Sequence, residues 1–348
     1  MSIRFFLLFL IACLSPSLMA AKTKTAPENN VSQRAEVRIW ADAFGAREGI
    51  DTGFLLDTLK NAKIESRIIE LMDAPIKAPT PWFEYAPRFL NEGRISGGVS
   101  FWKDNETALT RAQAYFGLPP EIVVAIIGVE THYGRNVGSF RVLDALVTLA
   151  FNYPRRADYF RGELEEFFLL ALDNGFALTS PKGSYAGAMG IAQFMPRSYR
   201  YYAVDFNGDG RVDLWQASDA IGSVAFYLKE HGWQTDAPVL TLAQLSQETE
   251  ATLIPLLDNG LSNPQPWKQW RALGVNLANT HTVIDDNASV SLLSLDADTG
   301  PVYFLAHDNF RAILRYNKSR LYAAAIAHLA EAIKTRGLRT QQPVAATP

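Results

Sequence analysis

Apolar side chains recur at helical spacing along most of this chain. The first patterned segments are "AEVRIWADAFGAREG" at 35–49 and "DTGFLLDTLKNAKIESRIIELM" at 51–72, the second with Asp51 or Thr52 as its N-cap and Pro75 beyond its last turn. Pro75, Pro79, Pro81 and Pro87 then punctuate "APIKAPTPWFEYAPRFL", which predicts an extended surface crossing rather than a helix. That crossing carries Trp82, Phe83 and Tyr85, many aromatics for a linker. From Val99 one helical run through "FWKDNETALTRAQAYFG" ends at Gly117, and Pro119 and Pro120 open a helix that carries Glu130 and stops at Gly134. Further helices are predicted around "LDALVTLAFN", "ADYFRGELEEFFLLALDNG" and "ASDAIGSVAFYLKEHG". Between 234 and 304 the texture changes to short β-prone pieces, "ASVSLLSLDAD" and "GPVYFLAH", separated by Asn, Asp, Gly and Pro. "RLYAAAIAHLAEAIKTRG" then restores helix and is expected to pack back on the core. No internal repeat is present.

These patterns divide the chain into an export signal at 1–20, a flexible linker at 21–35 and an N-terminal helical domain at 36–118. A helical core at 119–233 follows, with a special loop at 205–219, then a small β-containing domain at 234–304. Residues 305–337 complete the core and 338–348 form a loose tail. The fold class expected is mainly α, of the α+β kind.

The N-terminus is different in kind. "MSIRFFLLFLIACLSPSLMAAKTK" has a basic Arg4, an apolar run from Phe5 to Leu14, a break at Pro16 and a small-residue exit at Ala20 and Ala21, the layout of an export signal. The run is about half of the roughly 20 residues a membrane-spanning helix needs, so no transmembrane helix is expected in the mature chain. Two outcomes stay open: cleavage after Ala20, or lipidation at Cys13, for which "LIAC" fits the lipoprotein pattern. Either places the protein outside the cytoplasm, in the periplasm or on the outer membrane. Cys13 is the only cysteine, so the mature protein has no disulfide and no thiol chemistry. The 348 residues, 48% hydrophobic and 20% charged, are enough for two or three small domains with a real core. A net charge of −3 and a pI near 6.0 give no reason to expect nucleic acid as a partner.

Candidate chemistry starts with Glu130, at the end of an apolar helical run in which Ile122, Ile126 and Val129 share a face. A carboxyl beside apolar walls loses solvation of its ionised form, and the negative end of the helix dipole also favours the proton. Such a group suits a general acid; the alternative is a helix-end glutamate paired with Arg135 or another base. "KGSYAGAMGIAQFMPRSY" at 182–199 combines Ser184 and Gln193, suited to sugar acetamido and hydroxyl groups, with Gly183, Gly187, Ala188 and Gly190. Those small residues fit close approach to a ligand, or a helix-turn-helix packed through small residues. "FNYPRR" at 151–156 offers Tyr153 for stacking and Arg155 and Arg156 for an anionic peptide carboxylate, or a solvated basic turn. "RYNKSRLY" at 315–322 supplies Tyr316, Asn317 and Tyr322, with flat faces for pyranose rings or for the core.

"DFNGDGRVDLWQASD" at 205–219 sets Asp205, Asn207 and Asp209 at the first, third and fifth places of a calcium loop, with Gly210 as the turn glycine and Arg211 able to donate its carbonyl. The twelfth place holds Gln216 instead of the bidentate glutamate, and Asp219, three residues on, is its natural substitute in a longer loop. A structural Ca²⁺ is therefore expected, and no cofactor for the chemistry.

Taken in order, "GVETHYG", "FNYPRR", "KGSYAGAMGIAQFMP", the Asp-rich loop and "RYNKSRLYA" resemble the lytic murein transglycosylase B family, glycoside hydrolase family 103, over roughly residues 36–335. The resemblance implies a lysozyme-like core with a helical domain and a small inserted β domain. It implies cleavage of the MurNAc-β-1,4-GlcNAc bond of peptidoglycan with Glu130 as acid and base, leaving a 1,6-anhydro-MurNAc end. It also implies that Ser184, Gln193, Tyr227, Asn317, Tyr316 and Tyr322 line the subsites, that Tyr85, Arg155 and Arg156 lie near the glycan and its peptide, and that Asp219 serves as the late calcium ligand. Peptidoglycan strands are then the partner, cell-wall synthesis enzymes are candidate associates, and a monomer is expected. Two competing readings remain: a hydrolytic lysozyme that uses water with the same acid, and a non-catalytic glycan-binding scaffold of the envelope.

Overall fold

The structure is a computed structural model and describes residues 30–74 and 80–341. The expected signal at 1–20 with Cys13, and Pro75 and Pro79, lie outside the described residues. The N-terminal part comprises α1 (Ala35–Glu48), α2 (Thr52–Leu59), α3 (Ser66–Met72), α4 (Trp82–Tyr85), α5 (Glu92–Asp104) and α6 (Glu106–Phe116). Gly49, left-handed at φ 70°, closes α1. Asp51, one of the two N-caps considered for the next segment, accepts the Phe54 N–H at 2.9 Å.

Three expectations fail here for local reasons. The 51–72 pattern is two helices, α2 and α3, separated by an irregular crossing at 61–65. The run from Val99 begins earlier, at Glu92 where Asn91 caps the Arg94 N–H, and is broken at Asn105, whose side chain bonds back to the Phe101 carbonyl. The proline-punctuated stretch is not extended throughout. Pro81 stands just before α4, where its missing N–H costs nothing, and Pro87 lies within a 3₁₀ turn, so Tyr85 is carried on a helical turn.

At the centre lies α7 (Pro120–Thr131), flanked by α5, α6, α15 (Arg320–Gln341) and α11 (Ala217–Glu230). Every residue from Pro120 to Val129 is buried, so the helix is apolar all round rather than along one face. The short β1 (Phe140–Arg141) leads into α8 (Val142–Asn152) and α9 (Ala157–Asn174), which pack against each other. After β2 (Lys182–Gly183) the chain crosses a looped segment to α10 (Pro196–Tyr202) and α11.

A five-stranded antiparallel sheet follows, formed by β3 (Leu240–Gln244), β4 (Gln265–Pro266), β5 (Asn276–Leu277), β6 (Ser289–Ala297) and β7 (Gly300–Ala306) in the order β4-β6-β7-β3-β5. Two helices, α12 (Gln247–Leu253) and α13 (Trp267–Ala272), are threaded between the strands. Strand alternation divides the sheet between two cores. Val290, Leu292, Tyr303 and Leu305 face Trp267 and Trp270, while Leu293, Leu295 and Ala306 join the main helical core. The Trp270 indole N–H is satisfied by the Val290 carbonyl at 2.9 Å. Finally α14 (Asp308–Tyr316) leads into α15, which runs back along α7 and α5. The mainly helical α+β fold expected from the sequence is the one observed. Among the described residues no single helix is long and apolar enough to cross a membrane; α6 and α7 together have the composition but bend by 116° between them.

Candidate active site

Glu130 stands one residue before the end of α7, not in mid-helix. The helix stops at Thr131, three residues short of the expected Gly134, because His132, Tyr133 and Gly134 all adopt left-handed backbone at φ 53°, 62° and 82°. This reversal turns the Tyr133 ring back onto its own helix. The ring lies over Gly128 and across Gly97 and Gly98 of α5, and a Cβ on Gly128 would stand 2.6 Å from the Tyr133 hydroxyl. That hydroxyl donates to the Arg94 carbonyl at 2.6 Å. Thr131 is fully buried; its Oγ1 donates to the Ile191 carbonyl and accepts the Gly134 N–H, each at 3.0 Å. The turn that presents Glu130 is thus tied to the loop containing Gln193. Neither Thr131 nor Tyr133 was a candidate from the sequence; glycines five residues before Tyr133 and paired on α5 were the available signal. Glu121, at the other end of α7, was also passed over; it pairs with Lys334 at 2.8 Å.

The carboxyl of Glu130 accepts a hydrogen bond from the Tyr322 hydroxyl at 2.6 Å. Burial raises its pKa to about 7, against the lowering effect of that hydrogen bond. Tyr322 and Tyr316 are pushed well above the usual tyrosine range by burial and then by the charge of Glu130. Tyr85 is raised by burial, with Arg88 opposing and Glu130 adding to the shift. These three tyrosines, from α4, α14 and α15, therefore surround one carboxyl. The Tyr316 hydroxyl donates to the Ala192 carbonyl at 2.5 Å, and its ring lies 5.0 Å from that of Tyr227, which donates to the Arg315 carbonyl at 2.8 Å.

The 182–199 loop holds itself together. Ser184 Oγ accepts the Ala186 and Ala188 N–H groups, and Gln193, at φ 52°, donates through Nε2 to the Val137 and Gly190 carbonyls. The glycines here face protein rather than open space: a Cβ on Gly187 would meet the Leu146 side chain, and one on Gly190 would meet Leu214.

The other candidates have bonds and ring contacts of their own. Asn317 is exposed and accepts the Ser319 N–H at 3.1 Å. Arg155 pairs with Asp73 and lies over the Tyr153 ring, and Arg156 lies 4.5 Å over Tyr159. Tyr153 is only 6% exposed, so it is not a free face for a sugar. The remaining acids of the region are engaged elsewhere: Asp144 with Arg141, Asp158 with Arg161, Glu165 with Arg47, Glu166 with Arg200, and Glu163 with the Arg197 N–H. Among the described residues, no second carboxylate is bonded to Glu130. A cleft of about 1360 Å³ opens at the opposite end of α7, beside Pro119–Ile122, Trp233 and His328, and Glu130 does not line it. Chemistry is located by the perturbed acid, not by this cleft.

In the 205–219 loop the carboxylates cap backbone. Asp205 accepts from Gly208, Asp209 and Gly210, Asn207 and Asp209 accept from the residues two further on, and Asp219 accepts from Phe206, Asn207 and Asp213. Among the described residues no three acidic, histidine or cysteine side chains converge closely enough to hold an ion. The donors are nevertheless all hard oxygens, the kind calcium takes. Asp219 is wholly buried, its hydrogen-bond donors are backbone N–H groups, and both burial and the neighbouring Asp205 raise its pKa. Two like charges this close, one of them out of water, fit a cation in kind.

Comparison with known proteins completes the picture. The chain is 41% identical over 323 residues to the membrane-bound lytic murein transglycosylase B of Escherichia coli (strain K12), covering 88% of this chain and 87% of that one. The crystal structure of a soluble lytic transglycosylase from Pseudomonas aeruginosa superposes with a TM-score of 0.81 at 40% identity, over 87% of this chain and 99% of that one. An Escherichia coli lytic transglycosylase in complex with calcium gives 0.80 at 41% identity, over 88% and 95%. With the transglycosylase SLT domain pattern matching residues 33–331 as well, the chain belongs to the transglycosylase SLT domain family.

Proposed function

We propose that Glu130 is the acid and base of this lytic murein transglycosylase, and that it cleaves the MurNAc-β-1,4-GlcNAc bond of peptidoglycan strands to leave a 1,6-anhydro-MurNAc end. The observation that carries this reading is a carboxyl that holds its proton to about pH 7 with a tyrosine, and no second carboxylate, in contact. Protonated Glu130 gives its proton to the glycosidic oxygen while oxocarbenium character develops at the MurNAc anomeric carbon. The substrate's own acetamido carbonyl covers the opposite face of that carbon. Glu130, now ionised, removes the proton of the C6 hydroxyl, which attacks and closes the anhydro ring. An attack within one sugar has a large effective molarity, so no water needs to be positioned. A Pseudomonas aeruginosa relative, 30% identical, has been solved in complex with NAG-anhNAM-pentapeptide, which supports the same product class here.

In this reading Tyr85, Tyr316 and Tyr322 form the wall around the reacting bond, with Tyr227, Ser184, Gln193 and Asn317 along the glycan path. Arg155 and Arg156 meet the anionic peptide stem. Asp205, Asn207, Asp209, Asp219 and the carbonyl of Arg211 hold a structural Ca²⁺, which when bound fixes the loop between α10 and α11 and takes no part in bond cleavage. The protein works in the periplasm as a monomer, exported by the signal at 1–20 and either cleaved or lipidated at Cys13, alongside cell-wall synthesis enzymes. The test is Glu130→Gln: turnover of purified peptidoglycan should fall by a factor of about 10² to 10⁴, while folding and glycan binding persist. Retained turnover would remove Glu130 from the chemistry.

A further inference from the structure

Arg94 belongs to α5, yet its guanidinium is directed at the end of α7. Its Nη1 donates to the Gly128 carbonyl and reaches the Val129 carbonyl at 3.5 Å, while its own carbonyl accepts the Tyr133 hydroxyl at 2.6 Å. The guanidinium lies 5.3 Å over the Phe89 ring, and among the described residues it makes no ion pair. Burial accordingly lowers its pKa. The last carbonyls of a helix carry the negative end of its dipole, and that of Gly128 is shared between Arg94 and the His132 N–H at 3.1 Å. A partly buried cation that binds two such carbonyls instead of a carboxylate is placed to serve the helix end.

We infer that Arg94 is a positioning residue for the reaction, holding the last turn of α7 under Glu130 and fixing a positive charge at that helix end. The inference rests on Glu130 being the acid. Burial and the helix terminus both favour the protonated carboxyl, and an acid that must also act as base cannot be allowed to hold its proton too tightly. The groups facing Glu130 from other elements are Tyr85, with exposed Arg88 beside it, Tyr316 and Tyr322; all three tyrosines are raised and stay neutral. From its own turn come His132, which burial, Arg94 and Arg135 keep below its usual pKa, and Arg135, which is exposed. Arg94 is the cation bonded directly to the turn that carries the acid.

The experiment is the pH dependence of kcat/KM on purified peptidoglycan for the wild type, Arg94→Met, Arg94→Gln and Arg94→Lys, each also in a His132→Asn background, where asparagine suits the left-handed backbone. The alkaline limb reports loss of the Glu130 proton. Both neutral variants should move that limb upward by about half a pH unit, the size of a charge at a helix terminus, and lower kcat more than they raise KM. Lysine should restore the limb, and the shift should persist without His132. An unmoved limb, a shift that vanishes with His132, or failure of both neutral variants to fold would each overturn the inference. Its failure is separable from that of the acid assignment: a Glu130→Gln variant that still turns over sinks the latter, whereas a dead Glu130→Gln with an unmoved limb in Arg94→Met sinks the inference alone.

Discussion

Replacing Glu130 by glutamine should make the protein more stable as well as inactive, and the gain should depend on pH. In the unfolded chain the carboxyl titrates near 4.5, while in the fold it titrates at about 7. Between these values the native state binds a proton that the unfolded state has released, so the slope of unfolding free energy with pH is negative and wild-type stability falls as pH rises. The difference of about 2.5 units, at 1.36 kcal/mol each, corresponds to about 3 kcal/mol once both states are ionised. Glutamine keeps the shape and can still accept the Tyr322 hydrogen bond, but has nothing to ionise. Urea denaturation of both proteins from pH 4 to 8.5 should show a difference near zero at the acid end, growing through pH 4.5–7 and level above it. A difference that does not vary with pH would refute the claim that Glu130 is a buried, proton-holding acid.

Other expectations follow from neighbouring contacts. Tyr322→Phe removes the hydrogen bond that favours ionised Glu130, so the alkaline limb of kcat/KM should shift up by about one pH unit; no shift would mean that the 2.6 Å contact does not govern the acid. Thr131→Val keeps the side-chain shape but strips partners from the Ile191 carbonyl and the Gly134 N–H, which should cost about 1–3 kcal/mol in denaturant unfolding and lower kcat; unchanged stability would contradict the tie between the two loops. Calcium at a hundredfold excess over its Kd should stabilise by about 2.7 kcal/mol, and chelator or Asp219→Asn should reverse this; an unchanged Tm with no heat of titration would leave the 205–219 loop as a turn only.

How far the sequence could be read depended on the range of the interaction. Helices α1, α8, α9, α11 and α15 were legible because their apolar spacing is local, and Asp51 because a cap acts on the next residues. The break at Asn105 was not, since apolar spacing continues across it and only a bond from its amide to the Phe101 carbonyl marks the end of α5. Nor was the helical turn at Trp82, where prolines read as breakers occupy cap and 3₁₀ positions. Glu130 stood out because an acid ending an apolar run needs a reason. Its environment was harder: Tyr322 is 192 positions away, and Arg94 and Tyr133 act through helix ends and glycine gaps that no spacing rule exposes. The glycines of 182–199 also have a packing reason the pattern did not expose: a Cβ on Gly187 would meet Leu146 and one on Gly190 Leu214.

The central claim is that one carboxyl suffices because the substrate supplies its own nucleophile. Digestion of purified peptidoglycan in ¹⁸O-labelled water, followed by mass spectrometry of the fragments, tests it directly. Muropeptides one water lighter than reducing-end products, and free of label, are the predicted result. Labelled fragments with reducing MurNAc ends would show that water attacks, and would contradict the account.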